Sequence, residues 1–321
     1  MAVMLRENEA AKWLSDRDKF LILTHIRPDG DTLGSAAGLC AALRKIGKTS
    51  WVAENTGVTA TYIGDIQAYF APAGYEPEHI VAVDIATENL FPPEFEQYKG
   101  KAELCIDHHP SNERYAQNLC LDDSAAACGE VIYRICADHL KAMDAEIAKS
   151  LYLAVSTDCG CFVYDNTTPE THRIAAQLMT YGDFYKEINK RCFQTKSRKR
   201  MALEGRLMQS AEYFEDGKVA IGAITLQDIA AVEASEADAE ELSSLLRQIE
   251  GVLVSATLRE LKDGSWKLSL RTDPDYVNAT NTCALMGGGG HKAASGARQS
   301  GISQQEMRDL VLECIRKNIH S

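Results

Sequence analysis

No apolar run in the 321 residues approaches the ~18–20 residues of a membrane span. The longest candidates, residues 20–23 and 151–155, are strand- or core-sized, so no membrane association is expected. No C-x-x-C pair occurs among the ten cysteines, the closest spacing being Cys159-Gly-Cys161, which argues against a zinc ribbon or a thioredoxin-like motif. Basic residues are outnumbered: 34 Lys and Arg stand against 46 Asp and Glu, a net charge of −12. Such a chain is a poor long-range binder of polyanions, so any nucleic acid it handles must be met by local cations or metals. There is no internal repeat and no low-complexity tract beyond four consecutive glycines. The first fifteen residues carry Arg6, Glu7, Glu9 and Lys12 in a weakly apolar pattern, which reads as a helix start and not as a signal peptide. With cysteines read as reduced thiols, the expected location is the cytoplasm.

Composition is otherwise ordinary for a globular protein, 45 % hydrophobic and 25 % charged. At ~150 residues per domain the length suggests two domains. The first half alternates short apolar runs (20–24, 50–53, 79–84, 102–107) with helical segments (32–46, 62–70, 128–139, 145–155, 169–181). That alternation predicts an α/β fold, a parallel sheet with helices on both faces. Residues 190–206 hold the densest basic stretch and read as a helical linker with a solvated face. Beyond it come strand-like runs at 219–225, 252–259 and 266–271, an acidic helix at 237–249, and a last helix at 303–318. Asp263-Gly264 is a hairpin signal. The expected domains are therefore 1–189, a linker over 190–213, and a smaller α/β domain over 214–321.

The acids and imidazoles fall in a pattern. His25, Asp29 and Asp31 follow the first apolar run, Asp84 ends another, and Asp107-His108-His109 ends a third. Asp158 follows the helix at 145–155. In open parallel sheets ligands bind beyond the carboxyl ends of the strands, so these groups converge on one rim. Taken singly, each is more often a turn, a cap or a polar strand end; jointly they suggest a site. Several carboxylates at one rim repel one another unless cations neutralise them. Oxygen ligands with two imidazoles suit Mn²⁺, Mg²⁺ or Co²⁺, and two such ions can clamp a phosphoryl oxygen as it develops charge. That is phosphoesterase chemistry.

The segments His25-Ile-Arg-Pro-Asp29-Gly-Asp31-Thr-Leu-Gly34-Ser35, Val81-Ala-Val-Asp84, Ile106-Asp107-His108-His109-Pro110 and Ser156-Thr157-Asp158 resemble, in order, the four motifs of the DHH phosphoesterases. Arg271 and the tract from Gly287 to His291, continuing to Ala294-Ser295-Gly296, resemble the DHH-associated domain. The two-domain length resembles the branch of nanoRNases and pAp phosphatases. The resemblance implies that His25, Asp29 and Asp84 hold one Mn²⁺ while Asp31, Asp84, His108 and Asp158 hold a second, with Mg²⁺ or Co²⁺ as substitutes. It implies that Asp107 orients an imidazole and that His109 faces the reacting phosphate. Arg27 stands where a small polar residue is frequent in the family, and Cys159 places a thiol beside the site. In the second domain, Gly288, Gly289, Gly290, His291 and Ser295 read as a backbone nest for a phosphate, with Arg271 a second anchor.

These readings together predict an Mn²⁺-dependent hydrolase with its active site in an interdomain cleft, acting on short RNA, linear dinucleotides such as pApA or pGpG, and pAp. No stable complex with long nucleic acid is expected, and a dimer is among the oligomeric states the sequence leaves open. Two alternatives stand beside this: a cyclic-dinucleotide phosphodiesterase of the same family, and a nucleotide- or RNA-binding module with a vestigial metal site. A manganese pyrophosphatase would share the first-domain motifs but lack the glycine tract.

Overall fold

A computed structural model describes residues 2–235, 238–239 and 242–319. The chain divides into two compact units, Met1–Thr195 and Lys196–Ser321, each with its own sheet. No helix among the described residues is long and apolar enough to cross a membrane.

The first unit is built on six strands: β1 (Val3–Met4), β2 (Phe20–Leu23), β3 (Ser50–Val52), β4 (His79–Val83), β5 (Leu104–Asp107) and β6 (Asn118–Leu121). All pairings are parallel, in the order β1-β6-β5-β4-β2-β3. Strand periodicity divides the apolar run of β2 between two cores: Phe20 and Ile22 face one, Leu21 and Leu23 the other. Val81 and Val83 of β4 join the first, Ile80 and Ala82 the second. Both faces are covered, which is why the central strands read as continuous apolar runs. One face carries helices α1 (Glu7–Ser15), α2 (Gly30–Lys45), α4 (Cys128–Arg134) and α5 (Ala145–Asp158); α3 (Ile63–Ile66), α6 (Pro169–Met179) and α7 (Phe184–Asn189) complete the unit. The other face is closed by Phe91 and Phe95, on and beside short 3₁₀ turns. The strand order sets β2, β4 and β5 side by side, so their carboxyl ends share one rim.

The sequence pattern did not reveal β1 and β6. Two and four residues are too few for periodicity to register. The helix expected over 128–139 forms as α4 followed by a π turn over Ile135–His139.

Glycine spacing fixes how closely α2 approaches α5. A Cβ at Gly34 would lie 2.4 Å from the Ser150 carbonyl oxygen, and one at Gly30 would lie 2.3 Å from Thr157 Oγ1. That approach brings the first turn of α2 beside the last turn of α5.

The second unit has a mixed sheet ordered β11-β12-β10-β9-β8-β7. Its strands are β7 (Glu212–Phe214), β8 (Val219–Ile224), β9 (Val254–Glu260), β10 (Trp266–Thr272), β11 (Gly289–His291) and β12 (Ala294–Gln299). The basic stretch at 190–206 is not one helix: a π turn over Lys190–Gln194 stops before α8 (Arg198–Ser210). In α8, Leu203 and Leu207 pack into a core with Ala220 and Ile224 of β8. Lys196 and Arg200 pair with Glu204, and Arg206 pairs with Asp228. Much of the basic charge is thus matched internally. Of the helix expected over 237–249, residues 237, 240 and 241 lie outside the described residues, and Leu245–Gln248 forms a 3₁₀ turn.

Candidate metal centre and active site

Asp84 lies immediately beyond β4 with φ of 59°, a left-handed conformation uncommon for a side-chain-bearing residue. Its N–H donates to the carbonyl of Ile106 at 2.9 Å, which ties it to β5. The side chain is buried, and Oδ1 has no hydrogen-bond partner. His108 Nε2 and His109 Nδ1 each lie 3.5 Å from Oδ1, while His25 Nε2 lies 3.6 Å from Oδ2. A buried, unpaired carboxylate oxygen is costly unless a cation meets it. Donors ~2.0–2.2 Å from a common ion stand roughly 3–3.6 Å apart, so these spacings suit shared coordination.

Two groups flank Asp84. On one side His25 Nε2 lies 3.7 Å from Asp29 Oδ1. Asp29 also caps α2, its Oδ1 accepting the N–H groups of Asp31 and Thr32. On the other side His108 Nε2 lies 3.5 Å from Asp158 Oδ2 and 3.8 Å from Asp31 Oδ2. Three overlapping clusters of candidate ligand atoms result among the described residues: His25, Asp29 and Asp84; Asp31, His108 and Asp158; and Asp84, His108 and His109. The carboxylates and imidazoles are the donor set of Mn²⁺, Mg²⁺ or Co²⁺, with no thiolate among them.

Asp31 is held on three sides: Oδ1 accepts Ser35 Oγ at 3.0 Å and the Gly129 N–H at 2.9 Å, and Oδ2 accepts the Cys128 N–H at 2.7 Å. Burial, and then the carboxylates of Asp84 and Asp158, push Asp31 well above the usual carboxylate range. Asp84 and Asp158 are also raised, by burial first and by neighbouring carboxylates. A bound cation inverts that logic.

The paired histidines are oriented differently. His108 Nδ1 lies 3.1 Å from the carbonyl of Ala125, leaving Nε2 for the acids. His109 Nδ1 lies 2.8 Å from Asp107 Oδ1, which also accepts the backbone N–H groups of His108 and His109. The other oxygen of Asp107 accepts Asn112 Nδ2 at 2.6 Å. Burial opposes charge on His109, but the bond to Asp107 and the carboxylates of Asp84, Asp107 and Asp158 outweigh it and lift its pKa to about 9. In the metal-free protein the charged imidazole is thereby favoured at neutral pH. Cys159 is buried, and burial pushes its thiol up to about 11, so it stays protonated and structural.

A cavity of about 430 Å³ opens on this centre, lined by His25, Asp29, Asp84, His109 and Asp158 together with Ile26, Arg27 and Leu90. Several positioning groups escaped the sequence reading. Asn55 Nδ2 bonds Thr24 Oγ1 and the His25 carbonyl. Asn166 Nδ2 bonds the carbonyls of Ala126 and Asp158. An asparagine bonding to backbone carries no motif spacing of its own.

In the second unit Arg271 sits on β10, its guanidinium bonded to Ser243 Oγ at 3.2 Å and to the Leu270 carbonyl. The glycine tract takes a different form from the nest expected. Gly289–His291 is an exposed edge strand, paired with Ala294, Ser295 and Gly296. The N–H of Gly288 is occupied by the Cys283 carbonyl. Gly288 permits close packing, since a Cβ would lie 2.1 Å from the Gly296 carbonyl oxygen, and Gly290 has φ of +144°. Ser295 Oγ donates to the His291 carbonyl at 2.8 Å.

Comparison with known proteins agrees with the motifs. Residues 19–155 match the DHH family, N-terminal domain. The bifunctional oligoribonuclease and PAP phosphatase NrnA of Thermus thermophilus is 32% identical over 302 residues, covering 93% of this chain and 89% of that protein. The protein of the same name from Bacillus subtilis is 25% identical, covering 91% of this chain and 92% of its own. An exopolyphosphatase-related protein from Bacteroides fragilis shares the fold with a TM-score of 0.86 at 22% identity, over 97% of this chain and 95% of that one.

Proposed function

The chain belongs to the DHH family of phosphoesterases, and from that premise we propose that it hydrolyses short oligoribonucleotides to mononucleotides and pAp to AMP. The substrates are two- to five-nucleotide RNAs and linear dinucleotides such as pApA and pGpG, and the setting is the cytoplasm. The observation that carries the reading is Asp84, whose unpaired Oδ1 lies 3.5 Å from His108 Nε2 while its Oδ2 lies 3.6 Å from His25 Nε2. His25, Asp29 and Asp84 would hold one divalent ion, and Asp31, Asp84, His108 and Asp158 a second, with Mn²⁺ preferred. At that site divalent ions would supply charge to polarise a phosphoryl oxygen and to lower the pKa of a water toward neutrality.

The chain's own groups supply the rest. Asp107 holds Nδ1 of His109, so the proton on Nε2 is available to the leaving oxygen or to charge building on the phosphate. That hydrogen bond to Asp107 favours the protonated ring over the neutral one. In the second unit, Arg271, His291 and Ser295 contribute affinity for the nucleotide. The two relatives named for both activities support this substrate class, because each is covered by this chain over about nine tenths of its length.

Incubation with Mn²⁺ and a panel of pApA, pGpG, 5-mer and 24-mer RNA, pAp and cyclic dinucleotides tests the proposal. Faster cleavage of the 2-mer than of the 24-mer is expected. Equal cleavage would replace the reading with a long-strand exonuclease. Use of cyclic dinucleotides alone would make it a cyclic-dinucleotide phosphodiesterase, and binding without turnover would leave a vestigial metal site.

A further inference from the structure

Three residues lining the metal-centre cavity are left unexplained by metal ligation or by proton transfer: Ile26, Arg27 and Leu90. Ile26 and Leu90 are 37% and 38% exposed, an unusual state for apolar side chains beside a cluster of carboxylates. The Arg27 side chain makes no hydrogen bond or ion pair among the described residues, although Asp29, Asp84 and Asp158 line the same cavity.

The loop that carries them is pinned. The Ile26 N–H donates to the Leu90 carbonyl at 2.7 Å, which joins the two apolar residues into one wall. Asn55 Nδ2 holds the neighbouring His25 carbonyl at 2.9 Å. Gly57 passes beneath, where a Cβ would lie 2.7 Å from the Ile26 carbonyl oxygen and 3.1 Å from Pro28 Cδ. An apolar wall and an uncommitted cation are thus presented by a segment that need not reorganise on binding.

We propose that Ile26, Arg27 and Leu90 form the subsite for the nucleotide bearing the reacting phosphate. Ile26 and Leu90 cover its sugar or base, and the Arg27 guanidinium meets a phosphoryl oxygen. The proposal rests on the reading of the site as a phosphoesterase centre. The cavity, about 430 Å³, is at the small end of the ~300–1,000 Å³ of small-molecule sites, which suits one nucleotide. An aliphatic wall with no hydrogen-bonding group accepts any base, so the subsite selects a nucleotide and not a sequence. Arginine matches a phosphoryl group through its forked donors.

Calorimetric titration of the Mn²⁺-loaded protein with AMP, and separately with inorganic phosphate, tests the subsite without recourse to turnover. Leu90→Ser and Ile26→Ser should each weaken AMP roughly tenfold, the order expected from losing an apolar contact, and leave phosphate unchanged. Arg27→Met should weaken both ligands, and Arg27→Lys should recover part of the loss. Mn²⁺ content should match the wild type in all four. Wild-type AMP affinity in Arg27→Met and Leu90→Ser, with Mn²⁺ retained, would overturn the proposal. Failure of the wild type to cleave any RNA would instead fall on the reaction proposed above, since AMP binding is read independently.

Discussion

His108 gives its Nδ1 to the carbonyl of Ala125, 3.1 Å away, and that one bond commits its Nε2 to the acidic centre. His109, the next residue, places its Nδ1 against Asp107 instead, at 2.8 Å. Neighbours of the same kind are therefore assigned different work. His108→Ala should lose bound Mn²⁺. His109→Ala should keep its metal and lose kcat on the order of 10²–10⁴-fold, as for removal of a general acid. Metal analysis beside steady-state kinetics checks both, and the reverse metal contents would exchange the two roles.

The contact between α2 and α5 carries a second prediction. A Cβ at Gly34 would lie 2.4 Å from the Ser150 carbonyl oxygen, so accommodating it must push apart the helices that deliver Asp31 and Asp158. Gly34→Ala should destabilise by roughly 1–3 kcal/mol, the usual cost of overpacking, and weaken Mn²⁺ binding. Gly205→Ala is the control, a mid-helix glycine whose Cβ would meet nothing within 4 Å, and it should be neutral or stabilising. Denaturant unfolding of the two variants decides the matter.

The convergence of ligands was legible in the sequence because parallel strands announce themselves as apolar runs, and the acids and imidazoles stand at or shortly after the ends of 20–23, 79–83 and 104–107. What held those ligands was not legible. Asp31 is fixed by the N–H groups of Cys128 and Gly129, and His108 by a carbonyl, and backbone groups are the same at every residue. Asn112 and Asn166 act on targets set by the tertiary fold. The four glycines read as a phosphate nest from their spacing alone; that Gly289–His291 forms a strand was not legible, because its pairing with β12 depends on a partner strand whose pattern is weak.

Asn166 offers a test of that hidden support. Its Nδ2 bonds the carbonyl of Ala126 at 2.9 Å and that of Asp158 at 3.2 Å, bracing both segments beside the Asp31–His108–Asp158 cluster. Asn166→Ala should weaken Mn²⁺ binding about 10–100-fold, the range seen for groups that orient ligands. Asn166→Asp should not restore it, because a carboxylate cannot donate to a carbonyl. Calorimetric Mn²⁺ titration reads the effect directly.

Stability of the metal-free protein should fall as pH rises. Asp31, Asp84 and Asp158 have folded pKa values above the ordinary 3.8, so the folded state loses ground as pH climbs from 3.8 through those raised values. His109, lifted from 6.5 to about 9, adds stability that is complete below 6.5 and disappears between 6.5 and about 9. Both effects run the same way. The metal-free Tm should therefore drop between about pH 5 and about pH 9, and Mn²⁺ should raise Tm more at about pH 8 than at about pH 5. A metal-free Tm that climbs across this range would contradict the electrostatics.

Asp84 is proposed as a ligand shared by two ions, and Asp84→Asn is the variant that bears on that role. Asparagine keeps the volume and tolerates the left-handed φ of 59°, so the variant should fold, with a metal-free Tm no lower than that of the wild type. The measurement is steady-state hydrolysis of pApA with Mn²⁺. Turnover is expected to be lost while the fold is kept; substantial Mn²⁺-dependent hydrolysis by Asp84→Asn would overturn the shared-ligand role.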